Sequence, residues 1–318
     1  MSRAAPVVGL ALGSGSARGL AHIGVLRAIE EAGIAIGAIA GTSMGAVVGA
    51  MHAAGRLPSL AEALSALDWP RIATFFDVVL PKSGLIDGAR ISRFVRDQIA
   101  ARDFADLLRP FAAVAADLAS GEEVAIRSGD VIEAVRASIS VPGIFTPARW
   151  NGRLLVDGGV VNPVPVSVAR ALGAEAVIAV DVSAGPPAAR AAPPPAPPPP
   201  PEPPPSPPPW AAAILGALGA VTDRVFAADS PAAAQVARWS SRGEPMPSVF
   251  DVLLSSINIM EAQIVRWRMQ TDPPDLLIRP PLGDVRFLDF HRAEEIIAIG
   301  YRSAAEALAG APAAWRGG

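Results

Sequence analysis

The chain contains no cysteine, and Lys82 is its only lysine. The absence of cysteine excludes disulfide bridges, thiolate metal sites and a cysteine nucleophile. No block of basic residues occurs, and the formal net charge is −3. Because binding to a phosphate backbone needs clustered positive charge, nothing here supports a nucleic-acid partner. No cluster of metal-ligand residues is visible either, so we expect neither a metal nor another cofactor.

Charged residues are also few. They make up 18% of the 318 residues, whereas soluble proteins have about a quarter. Hydrophobic residues reach 51%, largely through alanine, and aromatic residues only 5%. We therefore expect apolar surface that lipid or a partner covers. The length allows one large domain or two ordinary ones, with a sizeable core.

Residues 32–55 contain no Asp, Glu, Lys or Arg. A stretch of about 20 residues can span a bilayer, and its glycines form two overlapping G-x-x-x-G steps, so a transmembrane helix is one alternative. The stretch is mostly alanine and glycine, however, and it contains Thr42, Ser43 and His52. Two early glycines also interrupt a long helix. We interpret it as a buried strand, a sharp turn and a helix.

The first residues, 1–18, faintly resemble a secretory signal, with Arg3, a short apolar run over 6–12 and then small residues. That run is at the lower limit of length for a signal. It also fits a first buried strand that enters a glycine loop, which we favour. We expect a cytoplasmic protein whose membrane contact, if it has one, is peripheral and at the inner surface.

Strand-like runs alternate with helical patterns over residues 1–185, which is typical of βαβ units and a mostly parallel sheet. The predicted strands are Val7–Leu12, Ile34–Ala40, Phe111–Ala116, Val124–Arg127, Leu154–Val156, one within Gly173–Asp181, and Leu276–Arg279. The predicted helices are Leu20–Gly33, Ala46–Ala54, Asp130–Ser138, Val249–Arg268 (with Leu253, Ile257, Met260 and Ile264 on one face) and Arg292–Ala309, and Gly173 is predicted to mark the end of another helix. We divide the chain into a core at 1–185, a linker and insertion at 186–247, and closing elements at 248–318 that complete the fold.

Residues 186–209 contain 16 prolines in 24 positions. Such a segment forms neither a helix nor a central strand, so we predict a disordered, extended polyproline II insertion. Its simplest role is that of a spacer; a ligand for a proline-recognition domain is the alternative. The apolar stretch 210–221 that follows is either a membrane-interface segment or a buried helix.

The motif Gly41-Thr42-Ser43-Met44-Gly45 stands between a predicted strand and a predicted helix. The glycines let the backbone turn sharply without a Cβ clash, so the serine hydroxyl projects from the turn. The helix that follows directs free N–H groups and its positive end at the same place, where a developing oxyanion is stabilised. The pattern alone is weak in a chain rich in glycine, but its position favours Ser43 as a nucleophile.

A second cluster, Gly13-Ser14-Gly15-Ser16-Ala17-Arg18-Gly19, follows the first predicted strand. Its N–H groups can approach an oxyanion closely and Arg18 adds positive charge; a tight turn is the plain structural alternative. With Gly9 the loop also fits the glycines of short-chain dehydrogenases. Those enzymes need a tyrosine with a lysine four residues on, whereas Tyr301 is followed there by Ala305. No Gly-Lys-Ser/Thr occurs, which excludes a Walker A loop.

A third cluster, Asp157-Gly158-Gly159, ends an apolar strand. Asp-Gly is a common turn and by itself indicates little. After a strand of a parallel sheet, however, the carboxylate would project from the same sheet edge as Ser43. An aspartate that is partly desolvated has a raised pKa and can act as general base to a serine.

Taken in order, the glycine loop with Arg18, the Ser43 turn and the Asp157 turn resemble the patatin-like phospholipases, in particular the bacterial branch akin to the neuropathy-target-esterase catalytic domain. Further similar segments are 137–145, 162–165, 275–280 and 289–301. The resemblance covers 6–184 and 249–308, and the motifs are specific as a set.

This resemblance implies a three-layer α/β fold with a mainly parallel central sheet, and a serine acyl-ester hydrolase acting on phospholipid or lysophospholipid. Ser43 would attack the ester carbonyl and Asp157 would activate it, without a histidine. Backbone groups of Gly13, Ser14 and Gly15, near Arg18, would form the oxyanion hole. The family loop is often a run of glycines.

Serine therefore departs from the family pattern at Ser14 and Ser16, and a positive φ at either would strain the loop. Two alternatives stay open. The order Ser43, Asp157, His291 is that of a Ser–His–Asp α/β-hydrolase. A non-catalytic lipid-binding or regulatory protein on the same scaffold would also tolerate the altered loop.

Overall fold

The structure, a computed structural model, describes residues 6–65, 88–99, 101–183 and 249–316. The predicted proline-rich insertion at 186–209 and the apolar stretch at 210–221 lie outside the described residues. One compact unit comprises Met1–Ala188 and Leu254–Gly318. The second unit is Ala189–Leu253, of which the structure describes only the start of one helix.

The elements follow the alternation expected from the sequence. The strands are β1 Val8–Leu12, β2 Ile36–Thr42, β3 Phe111–Asp117, β4 Glu123–Ile126, β5 Ala148–Trp150, β6 Arg153–Asp157, β7 Ala176–Val180 and β8 Leu276–Ile278. The α-helices are α1 Ala21–Glu31, α2 Met44–Ala53, α3 Leu57–Ser65, α4 Ala89–Gln98, α5 Val131–Ser138, α6 Val166–Ala171, α7 Val249–Thr271 and α8 Ala293–Ala309. Short 3₁₀ helices cover Ser16–Leu20, Phe104–Asp106, Gly158–Val160, Phe290–Arg292 and Ala313–Trp315.

The described strands form one mixed sheet in the order β5-β6-β3-β2-β1-β7-β8, with β4 paired to β3. The central strands β3, β2, β1, β7 and β8 are parallel, which confirms the predicted α/β class with a mainly parallel sheet. Strands β4, β5 and β6 add antiparallel pairs at the β3 side.

Side chains alternate between two apolar layers, one on each face of the sheet. In β1, Val8, Leu10 and Leu12 belong to the larger core cluster, whereas Ala11 belongs to the smaller one. The larger cluster contains residues of α1, α2, α3, α5 and α8, and the smaller one contains residues of α6 and α7. The sheet therefore lies between two helical layers, in the three-layer arrangement expected.

The pairing of β3 sets the position of the functional residues. Strand β4 pairs with 113–116 of β3, while β2 pairs with 111–114 and β6 with 115–117. Since β4 overlaps both others, β2 and β6 share the opposite edge of β3, one after the other. Strand β6 is antiparallel to β3, not parallel as the sequence argument assumed. The C-terminal ends of β2 and β6 thus meet head to head.

Some elements differ from the predictions. Helices α3 and α4 and strand β5 were not anticipated, and of α6 the sequence predicted only the end, at Gly173. On α7 the predicted apolar face was wrong, because Met260 is 53% exposed. The buried positions of that helix are Leu254, Ile257, Glu261 and Val265. This face carries a carboxyl group in an otherwise apolar row.

The uncharged stretch 32–55 contains β2 and α2, separated by one residue. This is the strand, turn and helix predicted for it. Within the part of the chain that the structure describes, no helix is both long and apolar enough to cross a bilayer.

Candidate active site

Ser43 lies alone between β2 and α2, with φ 56° and ψ −123°. A non-glycine residue rarely adopts a positive φ, and such strain is often found at functional positions. The turn is tight, because a Cβ on Gly41 would clash with the carbonyl of Gly45, and one on Gly45 with the carbonyl of Leu12. Only glycine fits at both positions. The sequence motif therefore encodes a sharp turn with the serine at its tip.

Neighbouring hydrogen bonds hold this turn in place. The Ser43 N–H donates to Ser138 Oγ at 2.9 Å, and Ser138 Oγ donates to the carbonyl of Val114 at 2.6 Å. Thr42 Oγ1 donates to the carbonyl of Asn162 at 2.8 Å. These bonds join the turn to α5, β3 and the loop after β6, so three separate elements fix the serine backbone.

The Ser43 hydroxyl donates to Asp157 Oδ2 at 2.6 Å, and both residues are buried. The other carboxylate oxygen, Oδ1, accepts the N–H of Gly159 at 2.7 Å. A Cβ on Gly158 would clash with the carbonyl of Val114, so the turn after β6 also needs glycine. The structure thus brings together the serine and the aspartate that the sequence singled out.

Burial has a direct consequence for the Asp157 carboxyl. Removal from water raises its pKa to about 7, although the hydrogen bonds from Ser43 and Gly159 act in the opposite direction. A carboxylate with a pKa in this range can accept a proton from a serine near neutral pH.

The glycine loop presents only part of its backbone to a ligand. The Gly13 N–H donates to Val180 O at 3.0 Å, and the Ser14 N–H donates to Pro163 O at 2.8 Å. The expected donors Gly13 and Ser14 therefore already have acceptors. By contrast, the N–H groups of Gly15 and Ser16 have no acceptor within the described residues.

Of the two serines in this loop, Ser16 has the positive φ, 47°, and Ser14 does not. The Ser16 hydroxyl donates to the carbonyl of Phe287 at 2.7 Å, and the Ala17 N–H donates to the same oxygen at 3.2 Å. A hydrogen bond that glycine cannot make therefore accompanies the strained backbone of Ser16.

Arg18 is 4% exposed, and its guanidinium Nη2 donates to Asn258 Oδ1 of α7 at 2.7 Å. Its Nε is buried without a partner among the described residues. Burial lowers the pKa of Arg18, while the charges of Glu261 and Asp181 raise it. Arg18 thus joins the glycine loop to α7.

Helix α7 contributes a residue that sequence reasoning missed. The Ser14 hydroxyl donates to Glu261 Oε1 at 3.2 Å. Glu261 occupies the same helix face as Leu254, Ile257 and Val265, at spacings of three and four residues. A carboxyl in an otherwise apolar row of a helix is the sequence signal that could have identified Glu261.

A largely apolar cavity of about 130 Å³ opens at Ser43. Its wall includes Ser16 of the glycine loop and Met44, the residue that follows Ser43. The remaining lining residues are Val47, Leu60, Leu64, Ile91, Phe94, Val95, Ile139, Val141, Ile144, Phe145, Phe287, Leu288 and Phe290. Helices α3 and α4, which the sequence did not predict, supply five of them.

The three histidines do not stand between Ser43 and Asp157, since the two bond directly. His22 is fully buried with Nε2 2.8 Å from Gly13 O, and burial lowers its pKa to about 4. Burial lowers the pKa of His52 to about 4 as well. His291 is exposed. No group of three or more metal-ligand side chains occurs among the residues that the structure describes.

Comparison with known proteins assigns the family. The family model of the patatin-like phospholipases matches residues 10–170. An NTE family protein of Mycobacterium bovis is 36% identical over 329 residues, covering 95% of this chain and 91% of the relative. The chain belongs to the patatin-like phospholipase family.

Two further matches are a much longer relative and a solved structure of low sequence identity. Human patatin-like phospholipase domain-containing protein 6 is 34% identical over 182 residues, which cover 55% of this chain and 13% of that protein. The crystal structure of VipD from Legionella pneumophila aligns at a TM-score of 0.43 with 13% identity, covering 97% of this chain and 67% of that chain. The family-model match over residues 10–170 contains the glycine loop, the Ser43 turn and the Asp157 turn.

Proposed function

We propose that this chain is a serine acyl-ester hydrolase that uses Ser43 and Asp157 as a dyad. The observation that carries the proposal is the 2.6 Å hydrogen bond from Ser43 Oγ to Asp157 Oδ2 at the wall of an apolar cavity. Nucleophile and base are within direct transfer distance, and the strained turn places Ser43 at the wall of the cavity.

In acylation, Asp157 takes the hydroxyl proton while Ser43 Oγ attacks the ester carbonyl carbon. The carbonyl oxygen becomes an oxyanion, which the N–H groups of Gly15, Ser16 and Met44 stabilise at the cavity wall. Met44 begins α2, so its N–H points out of the helix without an internal acceptor. The intermediate then collapses, and the leaving alkoxide receives the proton from Asp157.

In deacylation the same carboxylate acts on water. Asp157 removes a proton as the water oxygen attacks the acyl-enzyme carbonyl, and returns it to Ser43 Oγ when the C–O bond breaks. The products are a free fatty acid and the regenerated serine. Every proton transfer involves one carboxylate, so its raised pKa supports both halves of the cycle.

The cavity supports a lipid substrate. Aliphatic and aromatic side chains line it, and the serine hydroxyl lies at one wall. A fatty-acyl chain buried there loses contact with water, and burial contributes about 25 cal/mol per Å² of apolar surface. Phospholipids and lysophospholipids are the substrates we propose, in line with the family. Peripheral membrane contact, a cytoplasmic location and a proline-recognition partner for 186–209 stay predictions.

The test is release of free fatty acid from phospholipid and lysophospholipid micelles by the full chain. We expect release by the wild type and loss of about 10³-fold or more in Ser43→Ala. Ser303→Ala, a serine of α8 that does not line the cavity, is the matched control and should keep full activity. Equal rates for wild type and Ser43→Ala would refute the proposal.

A non-catalytic lipid-binding protein is the second candidate, and the strained Ser16 in the glycine loop favours it. The two candidates differ in the reactivity of one hydroxyl. An alkyl fluorophosphonate should label the wild type at Ser43, as peptide mass spectrometry would show, and should leave Ser43→Ala unlabelled. A wild type that binds lysophospholipid but is neither labelled nor active would favour the lipid-binding protein.

A further inference from the structure

Glu261 is a buried carboxyl that the dyad mechanism leaves unused. It is 8% exposed, and its Oε1 accepts the Ser14 hydroxyl at 3.2 Å. A Cβ on Gly159 would clash with this same oxygen, so the carboxyl lies directly against the turn that carries Asp157. Glu261 thus touches the oxyanion loop on one side and the turn of the general base on the other.

The charges around Glu261 come from three other elements. Arg18 belongs to the 3₁₀ helix Ser16–Leu20, Asp157 ends β6, and Asp181 follows β7. Asp181 is paired with Arg279, whose Nε lies 2.9 Å from Asp181 Oδ2. Arg18, Asp157 and Asp181 are the ionisable groups that act on Glu261 in the described part of the chain, and the Ser14 hydroxyl is its hydrogen-bond donor.

Counting these charges leaves one proton to be placed. The pair of Asp181 and Arg279 is neutral, and the buried Arg18 balances a single negative charge. Its direct partner Asn258 is uncharged and lies one helical turn before Glu261. The cluster is therefore neutral only if either Asp157 or Glu261 holds a proton. Buried charges without a counter-charge are costly, so this neutral state is favoured.

We propose that Glu261 is a positioning residue of this active site, acting as a neutral carboxylic acid that anchors Ser14 and leaves Asp157 as the ionised carboxylate. The inference rests on the proposed function, because only a hydrolase using Asp157 as base needs the proton on the other carboxyl. It also gives a role to Ser14, whose hydroxyl supplies the anchor that a glycine lacks.

The order in which the two carboxyls ionise agrees with this assignment. Asp157 accepts two short hydrogen bonds, from Ser43 Oγ at 2.6 Å and from the Gly159 N–H at 2.7 Å, whereas Glu261 accepts one from Ser14 Oγ at 3.2 Å. Hydrogen bonds donated to a carboxylate favour its ionised form. Burial and the negative charge of Asp157 both raise the pKa of Glu261. As the pH rises, we therefore expect Asp157 to lose its proton first. When Glu261 also ionises, a second negative charge stands beside the loop whose Gly15 and Ser16 N–H groups receive the oxyanion. That charge disfavours the transition state.

The experiment is a pH–rate profile of the full chain on a soluble p-nitrophenyl ester from pH 5.5 to 9.5. The variants are Glu261→Gln, Glu261→Ala, Ser14→Ala and the control Glu306→Gln. Glu306 is exposed on α8, so this control makes the same substitution at a carboxyl that is in contact with water. Circular dichroism at each pH verifies that every variant is folded over the range used.

We expect a bell-shaped profile for the wild type, rising as Asp157 ionises and falling as Glu261 ionises. Glu261→Gln should keep the rising limb, lose less than about tenfold at pH 7 and lose the alkaline decline, since glutamine resembles the neutral acid. Glu261→Ala and Ser14→Ala lose the anchor, so kcat should fall by about tenfold or more with little change in KM. Glu306→Gln should follow the wild-type profile.

Two results would overturn the inference. In one, the alkaline decline persists in Glu261→Gln, so another group causes it. In the other, Glu261→Gln is as inactive at pH 7 as Glu261→Ala, so the ionised form is the one required. Ser43→Ala separates this inference from the proposed function. If Ser43→Ala is inactive while the pH–rate profiles of the Glu261 variants match that of the wild type, only the role of Glu261 fails. If Ser43→Ala stays active, the serine mechanism fails.

Discussion

Ser43 and Asp157 are 114 residues apart in the chain, yet their side chains share a 2.6 Å hydrogen bond. They meet because β2 and β6 end head to head along one edge of β3. No histidine stands between the two side chains. Substitutions of Asp157 and of His291 therefore distinguish a Ser–Asp dyad from a Ser–His–Asp triad.

The first prediction concerns this bond. Asp157→Asn keeps the size of the side chain but removes the base, so fatty acid release should fall by about 10³-fold or more. His291→Ala should stay within about threefold of the wild type, because Ser43 bonds directly to the aspartate. Initial rates on lysophospholipid micelles measure both. Loss of activity in His291→Ala with activity kept in Asp157→Asn would restore the Ser–His–Asp alternative.

The second prediction concerns stability against pH. Burial raises the pKa of Asp157 from 3.8 to about 7 in the folded chain. Between these values the unfolded chain loses the proton and the folded chain keeps it. The stability this group contributes is therefore complete below about pH 4 and is lost as the pH rises through about 7.

Thermal unfolding of Asp157→Asn and wild type, measured side by side from pH 4.5 to 8.5, checks this sign. The difference in Tm, variant minus wild type, should increase with pH, because asparagine carries no buried charge at any pH. Groups that do not interact with Asp157 cancel in this difference, and Glu261, whose pKa the charge of Asp157 raises, changes it in the same direction. A difference that is constant or decreases would contradict the raised pKa.

The third prediction concerns the left-handed backbone of Ser16, at φ 47°. Alanine keeps the strain and loses the hydroxyl bond to Phe287, whereas glycine loses the bond but relieves the strain. Ser16→Gly should therefore be more stable than Ser16→Ala by about 1 kcal/mol in urea unfolding.

Ser14 is the matched control for this pair, because its φ is not positive. There glycine gains nothing and adds backbone entropy to the unfolded chain, so Ser14→Gly should be no more stable than Ser14→Ala. The same order at both positions would show that strain does not decide the effect at Ser16.

The fourth prediction concerns the cavity. Val47 lies one turn after Ser43 on α2 and is part of the cavity wall. Val47→Phe fills space that we assign to the acyl chain, so kcat/KM for a long-chain ester should fall by about tenfold relative to a short-chain ester. The short-chain rate controls for damage to the dyad. Equal losses on both substrates would mean that the chain binds elsewhere.

The sequence by itself determined the central strands, most of the helices and the three turns of the candidate site. Apolar runs of strand length and glycines at close approaches are local signals, and the Ser43 turn needs glycine on both sides. The wrong face predicted for α7 shows the limit, because apolar residues such as Ile259 and Met260 also lie on its exposed side and Glu261 interrupts its buried row.

Tertiary structure decided which residues meet. The antiparallel direction of β6 depends on pairing with β3, and α3 and α4 line the cavity although neither was predicted. Ser14 and Glu261 lie 247 residues apart and are joined only because α7 packs beside the glycine loop. Local patterns cannot specify such contacts, since their free energy comes from burial and pairing between distant segments. The sequence by itself thus singles out Ser43 and Asp157, and only the folded chain places the Glu261 carboxyl beside them.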